Sequence, residues 1–374
     1  MHAVGREERA MKLGFGLMRL PKQDDVIDIE QTARMVDMFL EAGGTYFDTA
    51  YVYEGSEEAT AKALVERHPR DSYTLATKLN AHLMAPTREA AQKQFETSLA
   101  RTGAGYFDYY LLHALMDNTY EQYDEWGLWD YVAEKKRKGL IRNMGFSFHG
   151  GPQLLDEVLT KHPDVDFVQL QLNYADWDDA KVQSRENYEV ARAHEKEIVV
   201  MEPIKGGRLA EPPEEVRTLM DACTPGMSYA SWAIRFVASL PGVFTVLSGM
   251  SNVEQMADNL SYMRDFEPLN EAERDVILQA QRIMGESSTI PCTACHYCTN
   301  GCPQNIPIPE IFAAANLRLG NGQAEEAQAA YDKAVSAPGA GKASECIQCG
   351  QCEGACPQQL SVIDYLHMCA EMFE

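Results

Sequence analysis

The sequence predicts an α/β protein with two domains, a large one built from eight strands that alternate with helices and a small cysteine-rich one that follows it. Two observations lead to this prediction. Short apolar runs alternate with amphipathic stretches over most of the 374 residues, and strands that alternate with helices form parallel βαβ units. Eight of the ten cysteines stand apart from this pattern, in the last quarter of the chain.

Eight apolar runs have the length and composition of strands. They are Leu13–Leu17, Thr45–Thr49, Tyr73–Leu79, Phe107–His113, Ile141–Ser147, Phe167–Leu172, Ile198–Met201 and Val243–Leu247. Eight βα units over about 250 residues agree with a (β/α)8 TIM barrel in size and number. A doubly wound sheet is the alternative, but no GxGxxG motif follows the first strand. We therefore assign residues 11–285 to the barrel and residues 286–374 to the second domain.

Amphipathic segments between the strands predict helices. In the barrel these include Ile29–Ala42, Glu57–Arg67, Arg88–Arg101, Tyr123–Lys138, Arg185–Glu195 and Asn252–Tyr262. In the second domain, Ile308–Leu319 and Leu360–Met372 are predicted to be helical, one after each run of cysteines, with a small-residue connector at Ser336–Ser344. The second domain is therefore expected to be mainly helical.

The formal net charge of −23 limits the partners of the chain. A nucleic-acid-binding surface needs basic groups to displace counterions, and an anionic membrane surface also attracts basic segments. Neither partner is expected here. No apolar run approaches the roughly 20 residues that span a bilayer, and the first residues lack the apolar segment of a signal peptide. We expect a cytoplasmic protein.

The cysteines form two runs with the same spacing, C-x2-C-x2-C-x3-C-P. The runs are Cys292, Cys295, Cys298 and Cys302, and Cys346, Cys349, Cys352 and Cys356. This pattern resembles the bacterial two-cluster ferredoxins, in which the fourth cysteine of each run ligates the other [4Fe-4S] cluster. We therefore expect the first three cysteines of the first run to ligate cluster one together with Cys356. The first three cysteines of the second run are expected to ligate cluster two together with Cys302. With its helices, the domain is similar to the helical ferredoxin-like iron-sulfur domains of multi-subunit reductases.

A pair of zinc sites is the alternative interpretation of the cysteines. Zinc sites usually combine two separated C-x2-C pairs, whereas each run here places four cysteines close together before a proline. The two remaining cysteines, Cys223 and Cys369, are expected to be buried thiols. His296 lies inside the first run, but four thiolates complete a cluster without it.

Four polar residues stand at the carboxyl ends of three successive predicted strands. Asp48 and Tyr53 follow the second strand, Lys78 the third and His113 the fourth. Catalytic groups of TIM barrels gather at this face, so the four side chains are expected to converge.

Their chemistry suits the reduction of a carbonyl to an alcohol. The oxygen that gains negative charge needs a proton, which Tyr53 could donate. The Lys78 ammonium is expected to lower the tyrosine pKa, with Asp48 as its ion-pair partner. His113 is expected to orient the carbonyl oxygen through a hydrogen bond.

From about Leu13 to Tyr262 the chain resembles the aldo-keto reductases. The matching motifs are GFGLMRLP, FDTAYVYEGSEEATAKAL, LATK, YYLLH, GFS, QLQLNY, EPIKGG and SNVEQMADNL. The resemblance implies that Asp48, Tyr53, Lys78 and His113 are the catalytic tetrad. It also implies that NAD(H) or NADP(H) binds across the barrel mouth without a Rossmann domain.

By the same resemblance, seven residues are expected to contact the dinucleotide. Ser147 and Gln169 would hold the carboxamide, Lys205, Gly206 and Gly207 the pyrophosphate, and Asp258 and Asn259 the adenine. The sequence departs from the family in three places. Phe148 replaces an asparagine, and Met201 an aromatic residue. Basic and hydroxyl groups for a 2′-phosphate are replaced by Gly249, Met250 and Gln255.

Two functions follow from these features. The first is an oxidoreductase that acts on a small carbonyl or alcohol substrate with a nicotinamide cofactor, coupled to two [4Fe-4S] clusters for electron transfer. A ferredoxin or another one-electron carrier is its expected redox partner. The second is an electron-transfer or redox-sensing subunit in which the barrel only binds a nucleotide. The complete set of four polar residues favours the first.

Overall fold

A computed structural model describes residues 11–285 and 289–374, and its larger part is a closed barrel of eight parallel strands. The strands are β1 (Leu13–Gly16), β2 (Tyr46–Asp48), β3 (Thr74–Leu79), β4 (Phe107–Leu115), β5 (Ile141–Phe148), β6 (Phe167–Gln171), β7 (Glu197–Met201) and β8 (Val243–Ser248). Each strand pairs with its neighbours in sequence, and β8 pairs with β1. The predicted barrel is therefore confirmed. The predicted domain boundary falls beside residues 286–288, which lie outside the described residues.

The strands are apolar along most of their length because both faces of the barrel wall are buried. One set of side chains fills the barrel interior: Tyr46, Ala76, Leu111, Phe167, Val199 and Leu247. Their strand neighbours belong to the core between the wall and the helices, as Phe47, Leu75, Val168 and Val246 do. This two-sided burial produces the continuous apolar runs seen in the sequence.

Eleven helices belong to the described part of the barrel domain. They are α1 (Ile29–Glu41), α2 (Ser56–Thr60, continued by a π-helical turn at Ala61–Val65), α3 (Arg88–Thr102), α4 (Tyr120–Glu125), α5 (Leu128–Arg137), α6 (Pro152–Lys161), α7 (Ser184–Ala193), α8 (Glu214–Cys223), α9 (Tyr229–Ala238), α10 (Val253–Met263) and α11 (Glu271–Gly285). Local signals fix several ends. The Asp28 carboxylate caps α1 by accepting from the Gln31 N–H at 2.9 Å.

The predicted helix Tyr123–Lys138 is wrong in one respect, because the structure has two helices there, α4 and α5. Gly127 stands between them with a left-handed backbone, φ +60°. Glycine adopts this conformation without the steric cost that other residues meet, and it interrupts a helix. The periodic apolar pattern continues across the break, which is why it predicted a single helix.

The second domain is mainly helical, as predicted. Its helices are α12 (Ile308–Asn321), α13 (Ala324–Val335), α14 (Gln351–Gly354) and α15 (Val362–Phe373). The first and last correspond to the two predicted helices, whereas α13 was not predicted. Apolar side chains from α12 and α15 share a small core with the half-buried cysteines, and this core includes Ile311, Phe312, Val362 and Leu366.

The second domain packs over the carboxyl ends of the barrel strands. Arg19, after β1, donates to the Thr293 carbonyl at 2.7 Å. Arg208, after β7, donates to the Thr289 hydroxyl at 2.6 Å. At Gly206, a Cβ would lie 2.6 Å from the Thr293 carbonyl oxygen, so only glycine permits this approach.

Further contacts join the two domains near β4 and β5. The Asn118 amide donates to the Gly354 carbonyl at 3.1 Å, and the Gln359 amide donates to the His149 carbonyl at 3.1 Å. The cysteine-rich domain therefore covers the barrel mouth. None of the described helices combines the length and the apolar character needed to cross a bilayer.

Candidate active site

The structure brings the four residues of the predicted tetrad together at the barrel mouth. Lys78 is fully buried, and its ammonium donates to the Asp48 carboxylate and to the Thr49 carbonyl, the latter at 2.8 Å. The same ammonium lies 4.9 Å from the centre of the Tyr53 ring. The Tyr53 and His113 rings meet edge to face, with centroids 5.7 Å apart.

The pKa of Tyr53 differs from the prediction. The sequence predicted that Lys78 would lower it, but burial, together with Tyr297 and Asp48 nearby, raises the Tyr53 pKa well above its ordinary value. Removing the phenol from water disfavours the charged tyrosinate more than the ammonium favours it. Tyr53 is therefore a neutral hydroxyl at neutral pH.

Burial and the neighbouring Lys78 ammonium lower the pKa of His113 well below its usual range. The imidazole is consequently neutral at pH 7. Its Nδ1 has no hydrogen-bond partner among the described residues. A neutral imidazole retains one N–H that can donate to an oxygen.

Tyr297 is a fifth member of this cluster that the sequence did not predict. It comes from the cysteine-rich domain, between Cys295 and Cys298, and its phenol lies close enough to interact with that of Tyr53. Its ring lies edge to face with that of His113, with centroids 6.5 Å apart. The sequence shows an aromatic residue in the cysteine run, but only the packing of one domain on the other places it here.

These residues line one end of a cavity of about 650 Å³, the usual size of a small-molecule site. The barrel supplies most of its wall, and Cys295, Tyr297, Pro357 and Gln358 of the cysteine-rich domain supply the rest. Five of the seven residues predicted to contact a dinucleotide also line it: Gln169, Gly206, Gly207, Asp258 and Asn259.

The other two predicted contacts, Ser147 and Lys205, are engaged elsewhere. The Ser147 hydroxyl accepts from the Ala114 N–H at 2.7 Å. Lys205 is buried, and its ammonium forms an ion pair with the Asp176 carboxylate. In this structure Lys205 therefore does not present its charge to the cavity.

Gln169 offers a polar group to the cavity. Its side chain is 3% exposed, and its Oε1 has no hydrogen-bond partner within the described structure. The amide nitrogen contacts the Met201 sulfur at 3.5 Å. A buried amide oxygen without a donor is costly, and a carboxamide N–H bound here would satisfy it.

The far end of the cavity is lined by polar residues that already have partners. Asp258 accepts from the Ser228 hydroxyl at 2.7 Å, and the Asn259 amide donates to the Ser248 hydroxyl at 2.6 Å. The side chain of Arg19 stands beside Gly249, 3.6 Å from where a Cβ would be. Arg19 is thus a cation near the predicted 2′-phosphate position that the sequence did not reveal.

Glu202 was also missed. It follows β7 with a left-handed backbone, φ +54°, and its carboxylate accepts from the Gly206 N–H at 2.6 Å. Burial raises the pKa of Glu202, although Arg19 and the Gly206 N–H oppose this. The cavity wall therefore carries a carboxyl group close to the predicted pyrophosphate segment.

The two runs of cysteines lie near each other, and Cys298 of the first run also interacts with Cys352 of the second. Cys292, Cys295, Cys298 and Cys356 are close enough for their charges to raise one another's pKa. The other four line one small, mostly apolar cavity, and these are Cys302, Cys346, Cys349 and Cys352. In both sets the fourth cysteine comes from the opposite run, as the crossed assignment requires.

The surroundings of the sulfurs also fit iron-sulfur clusters. Burial raises the pKa of the Cys356 thiol, and the nearby backbone N–H groups of Gln358, Gln359 and Leu360 oppose this rise; N–H groups close to a sulfur favour a thiolate ligand. Among the described residues, no three or more His, Cys, Asp or Glu side chains are arranged to hold a single metal ion.

Cys369, Cys223 and His296 lie outside both groups of predicted cluster ligands. Cys369 is buried in the core of the small domain and Cys223 is half-buried. His296 is about half exposed, and its ring lies 3.7 Å from the Glu310 carboxylate.

Comparisons with known proteins agree with the fold and with the division of the chain. The model of the aldo/keto reductase family matches residues 12–280, and that of the 4Fe-4S dicluster domain matches residues 291–360. An aldo-keto reductase of Mycolicibacterium paratuberculosis is 29% identical over 260 residues, which is 69% of this chain and 82% of the relative. The uncharacterized oxidoreductase YqkF of Bacillus subtilis is 24% identical over 282 residues, 67% and 86% of the two chains.

Solved structures give the same result. The holo form of aldo-keto reductase AKR11C1 from Bacillus halodurans matches with a TM-score of 0.59 and 25% identity, covering 72% of this chain and 91% of that one. An aldo/keto reductase from Klebsiella pneumoniae, in complex with NADP and acetate, has the same fold at 19% identity, with a TM-score of 0.58 and coverage of 74% and 92%. Because the family model matches well over half of its length, the chain belongs to the aldo/keto reductase family, and it carries a 4Fe-4S dicluster domain after the barrel.

Proposed function

We propose that the protein reduces the carbonyl group of a small molecule, or oxidises the corresponding alcohol, with a nicotinamide dinucleotide as the hydride carrier. One observation carries this proposal. The neutral Tyr53 hydroxyl, the neutral His113 ring and the buried Lys78–Asp48 pair converge at one end of a cavity large enough for a cofactor and a substrate.

Each of these residues has a distinct role in the proposed reaction. Tyr53 holds its proton at neutral pH and donates it to the oxygen that becomes negatively charged, or removes it in the reverse direction. The Lys78 ammonium, 4.9 Å from the Tyr53 ring centre, stabilises the tyrosinate that forms when the proton leaves. Asp48 fixes that ammonium. His113 donates its N–H to the substrate oxygen and so orients the carbonyl.

The proposed nicotinamide site runs along the same cavity and supplies or accepts the hydride. Gln169 would receive the carboxamide N–H on its unpartnered oxygen. Gly206 and Gly207 would face the pyrophosphate, and Asp258 and Asn259 the adenine. The Klebsiella relative was solved in complex with NADP, which supports a dinucleotide as the cofactor. The ion pair of Lys205 with Asp176 removes one expected contact, so we propose that Ser147 and Lys205 support neighbouring groups.

The dicluster domain is proposed to hold two [4Fe-4S] clusters in the crossed arrangement, where they supply single-electron transfer. Cys295 lines the same cavity as Tyr53, so the domain borders the proposed reaction site. Cys349 is exposed, and the neighbouring Ile347 is 57% exposed. We propose this face of cluster two as the contact for a ferredoxin or another one-electron carrier.

A hydride carries two electrons and each cluster carries one, so the coupling needs two successive electron transfers. An electron-transfer or redox-sensing subunit therefore remains the second candidate. Two observations favour it: Lys205 is committed to Asp176, and Tyr297 stands against Tyr53.

Cofactor titration followed by a turnover assay separates the two candidates. Protein purified without oxygen is titrated with NADH and with NADPH, with quenching of its fluorescence as the signal, and is then supplied with a panel of aldehydes and ketones. We expect saturable binding of at least one cofactor and its oxidation in the presence of a carbonyl. Saturable cofactor binding without oxidation of the cofactor by any carbonyl of the panel would favour the second candidate, in which the barrel only binds a nucleotide.

A further inference from the structure

Tyr297 places a side chain of the cysteine-rich domain directly against the proposed catalytic residues. Its phenol lies close enough to interact with that of Tyr53, and its ring lies edge to face with His113. The neighbouring Cys295 lines the same cavity. The phenol therefore stands at the point where Tyr53 and His113 meet.

This is also the place that a substrate carbonyl must reach. A carbonyl oxygen has to come within hydrogen-bond distance of the Tyr53 hydroxyl and of the His113 ring. The Tyr297 side chain lies against both Tyr53 and His113, so an oxygen that contacts both groups at once must take the place of the phenol. Substrate and the Tyr297 phenol therefore compete for a single position.

We infer that Tyr297 occupies the carbonyl position in the closed form of the protein, and that a substrate binds by displacing this phenol. Tyr297 is then the residue that selects substrates at this site. Small carbonyls need little displacement, and aromatic carbonyls need the ring to leave completely. The inference rests on the proposed function in taking Tyr53 as the group that faces the substrate oxygen.

The residues around Tyr297 show why displacement is feasible. The Tyr297 side chain is only partly buried, whereas Tyr123 is fully buried. Within the described structure, the phenol of Tyr297 interacts with that of Tyr53. Earlier in the same segment, the Thr293 carbonyl accepts a hydrogen bond from Arg19 at 2.7 Å. The segment is thus anchored at Thr293, and the phenol is held by a contact that a substrate oxygen can replace.

The test measures equilibrium binding of benzoate and acetate, two carboxylates that place an oxygen at the carbonyl position without undergoing reaction. Binding is followed by calorimetry on cluster-loaded protein without oxygen, in the wild type, Tyr297→Ala and Tyr297→Phe. His296→Ala is the matched control, because His296 belongs to the same cysteine run but is exposed and lies outside the cavity. Iron content and the electron paramagnetic resonance spectrum establish that each variant retains its clusters.

We expect Tyr297→Ala to bind benzoate roughly two- to tenfold more tightly than the wild type, the scale of removing an occupant that is held by one polar contact. Acetate should gain less, and His296→Ala should match the wild type. Tyr297→Phe should also bind benzoate more tightly, because the anchoring hydroxyl is lost. Tyr53→Phe should weaken benzoate binding.

Unchanged or weaker benzoate binding in Tyr297→Ala, at wild-type iron content, would overturn the inference. If the Tyr297→Ala variant loses iron, the Tyr297→Phe variant provides the test instead. Unchanged benzoate binding in Tyr297→Phe would also overturn the inference. The measurement uses no nicotinamide and no turnover. A failure of the proposed enzyme activity can therefore be told apart from a failure of this inference.

Discussion

Gln171 and Gln358 form a reciprocal pair of amide hydrogen bonds across the boundary between the barrel and the cysteine-rich domain, each donating to the other at 2.9 Å. Both side chains are buried. Gln171 also donates to the Asp176 carboxylate at 3.0 Å, and Asp176 holds Lys205. The pair thus joins the polar network of the barrel to the segment that follows Cys356.

We expect Gln358→Ala to lower the free energy of unfolding by about 1–3 kcal/mol, because it leaves the Gln171 amide oxygen buried without its donor. Denaturant unfolding of the cluster-loaded protein measures this change. Gln348→Ala is the control, since Gln348 is exposed and pairs only with His367 at the surface, at 2.9 Å. Equal effects of the two substitutions would show that the interdomain pair adds no stability.

The crossed ligation predicts about eight iron and eight sulfide per chain. Cys356→Ser should damage the cluster bordering the barrel, although Cys356 belongs to the second run. Cys302→Ser should damage the other cluster. Iron analysis and electron paramagnetic resonance of protein made without oxygen check both, with Cys223→Ser as the control outside the runs. About four iron or fewer in the wild type would contradict two clusters.

Tyr53→Phe should reduce carbonyl turnover by roughly 10²–10⁴, the scale of removing a general acid. Nicotinamide binding should persist, because the ring remains. The matched control is Tyr51→Phe, two residues away, where the ring packs under the Arg101 guanidinium instead of lining the cavity. Steady-state kinetics and fluorescence titration measure the two effects. Turnover like that of the wild type in Tyr53→Phe would reject Tyr53 as the acid.

The direction of the Tyr53 pKa shift predicts the pH profile of reduction. A raised pKa means that the hydroxyl keeps its proton to higher pH, so the acid form is present at every pH below the raised value. His113, whose pKa is lowered, stays neutral through the weakly acidic range. We therefore expect kcat/KM for carbonyl reduction to stay level from about pH 6 to about pH 9. A fall across this interval that follows the tyrosine would contradict the assignment.

We expect NADH to bind at least as tightly as NADPH. Gly249, Met250 and Gln255 offer no cation to a 2′-phosphate, and the nearby Arg19 already donates to the Thr293 carbonyl. An arginine free to bind phosphate would typically contribute about 1.5–3 kcal/mol through charged hydrogen bonds. Dissociation constants at one ionic strength test this, and Arg19→Gln should leave their ratio unchanged. NADPH binding tenfold tighter than NADH, with the preference lost in Arg19→Gln, would show that Arg19 grips the phosphate.

Much of the fold could be predicted because its signals are local. Every barrel strand is a short apolar run, and β3 and β6 were placed to within one residue at each end. Helix α13 was not predicted, although its alanine and glutamate residues favour helix, because among its described residues only Ala327 and Tyr331 are buried and its apolar periodicity is weak. The break at Gly127 was not predicted because a single residue with a left-handed backbone does not change the apolar periodicity of the sequence around it.

The site was predictable only where a residue's position follows from its strand. The ends of β2, β3 and β4 had to bring Asp48, Lys78 and His113 to one face. Arg19, Glu202 and Tyr297 depend instead on loop paths and on how the second domain packs on the first. The predicted direction of the Tyr53 pKa shift was wrong partly for the same reason, because Tyr297, which helps burial to raise this pKa, belongs to the second domain.

The crossing of the cysteine runs also sets an order of events during biosynthesis. Domains nearer the N-terminus generally fold first as a chain emerges from the ribosome, so the barrel is complete early. Under the crossed ligation neither cluster has its four ligands until the second run has been made. Pro357 and Gln358, which line the same cavity, follow the second run, so the barrel mouth is not fully covered until that run has been made. For an interval after its synthesis, the barrel therefore has a mouth that the second domain does not yet fully cover. A long dinucleotide can enter during this interval, before iron is inserted.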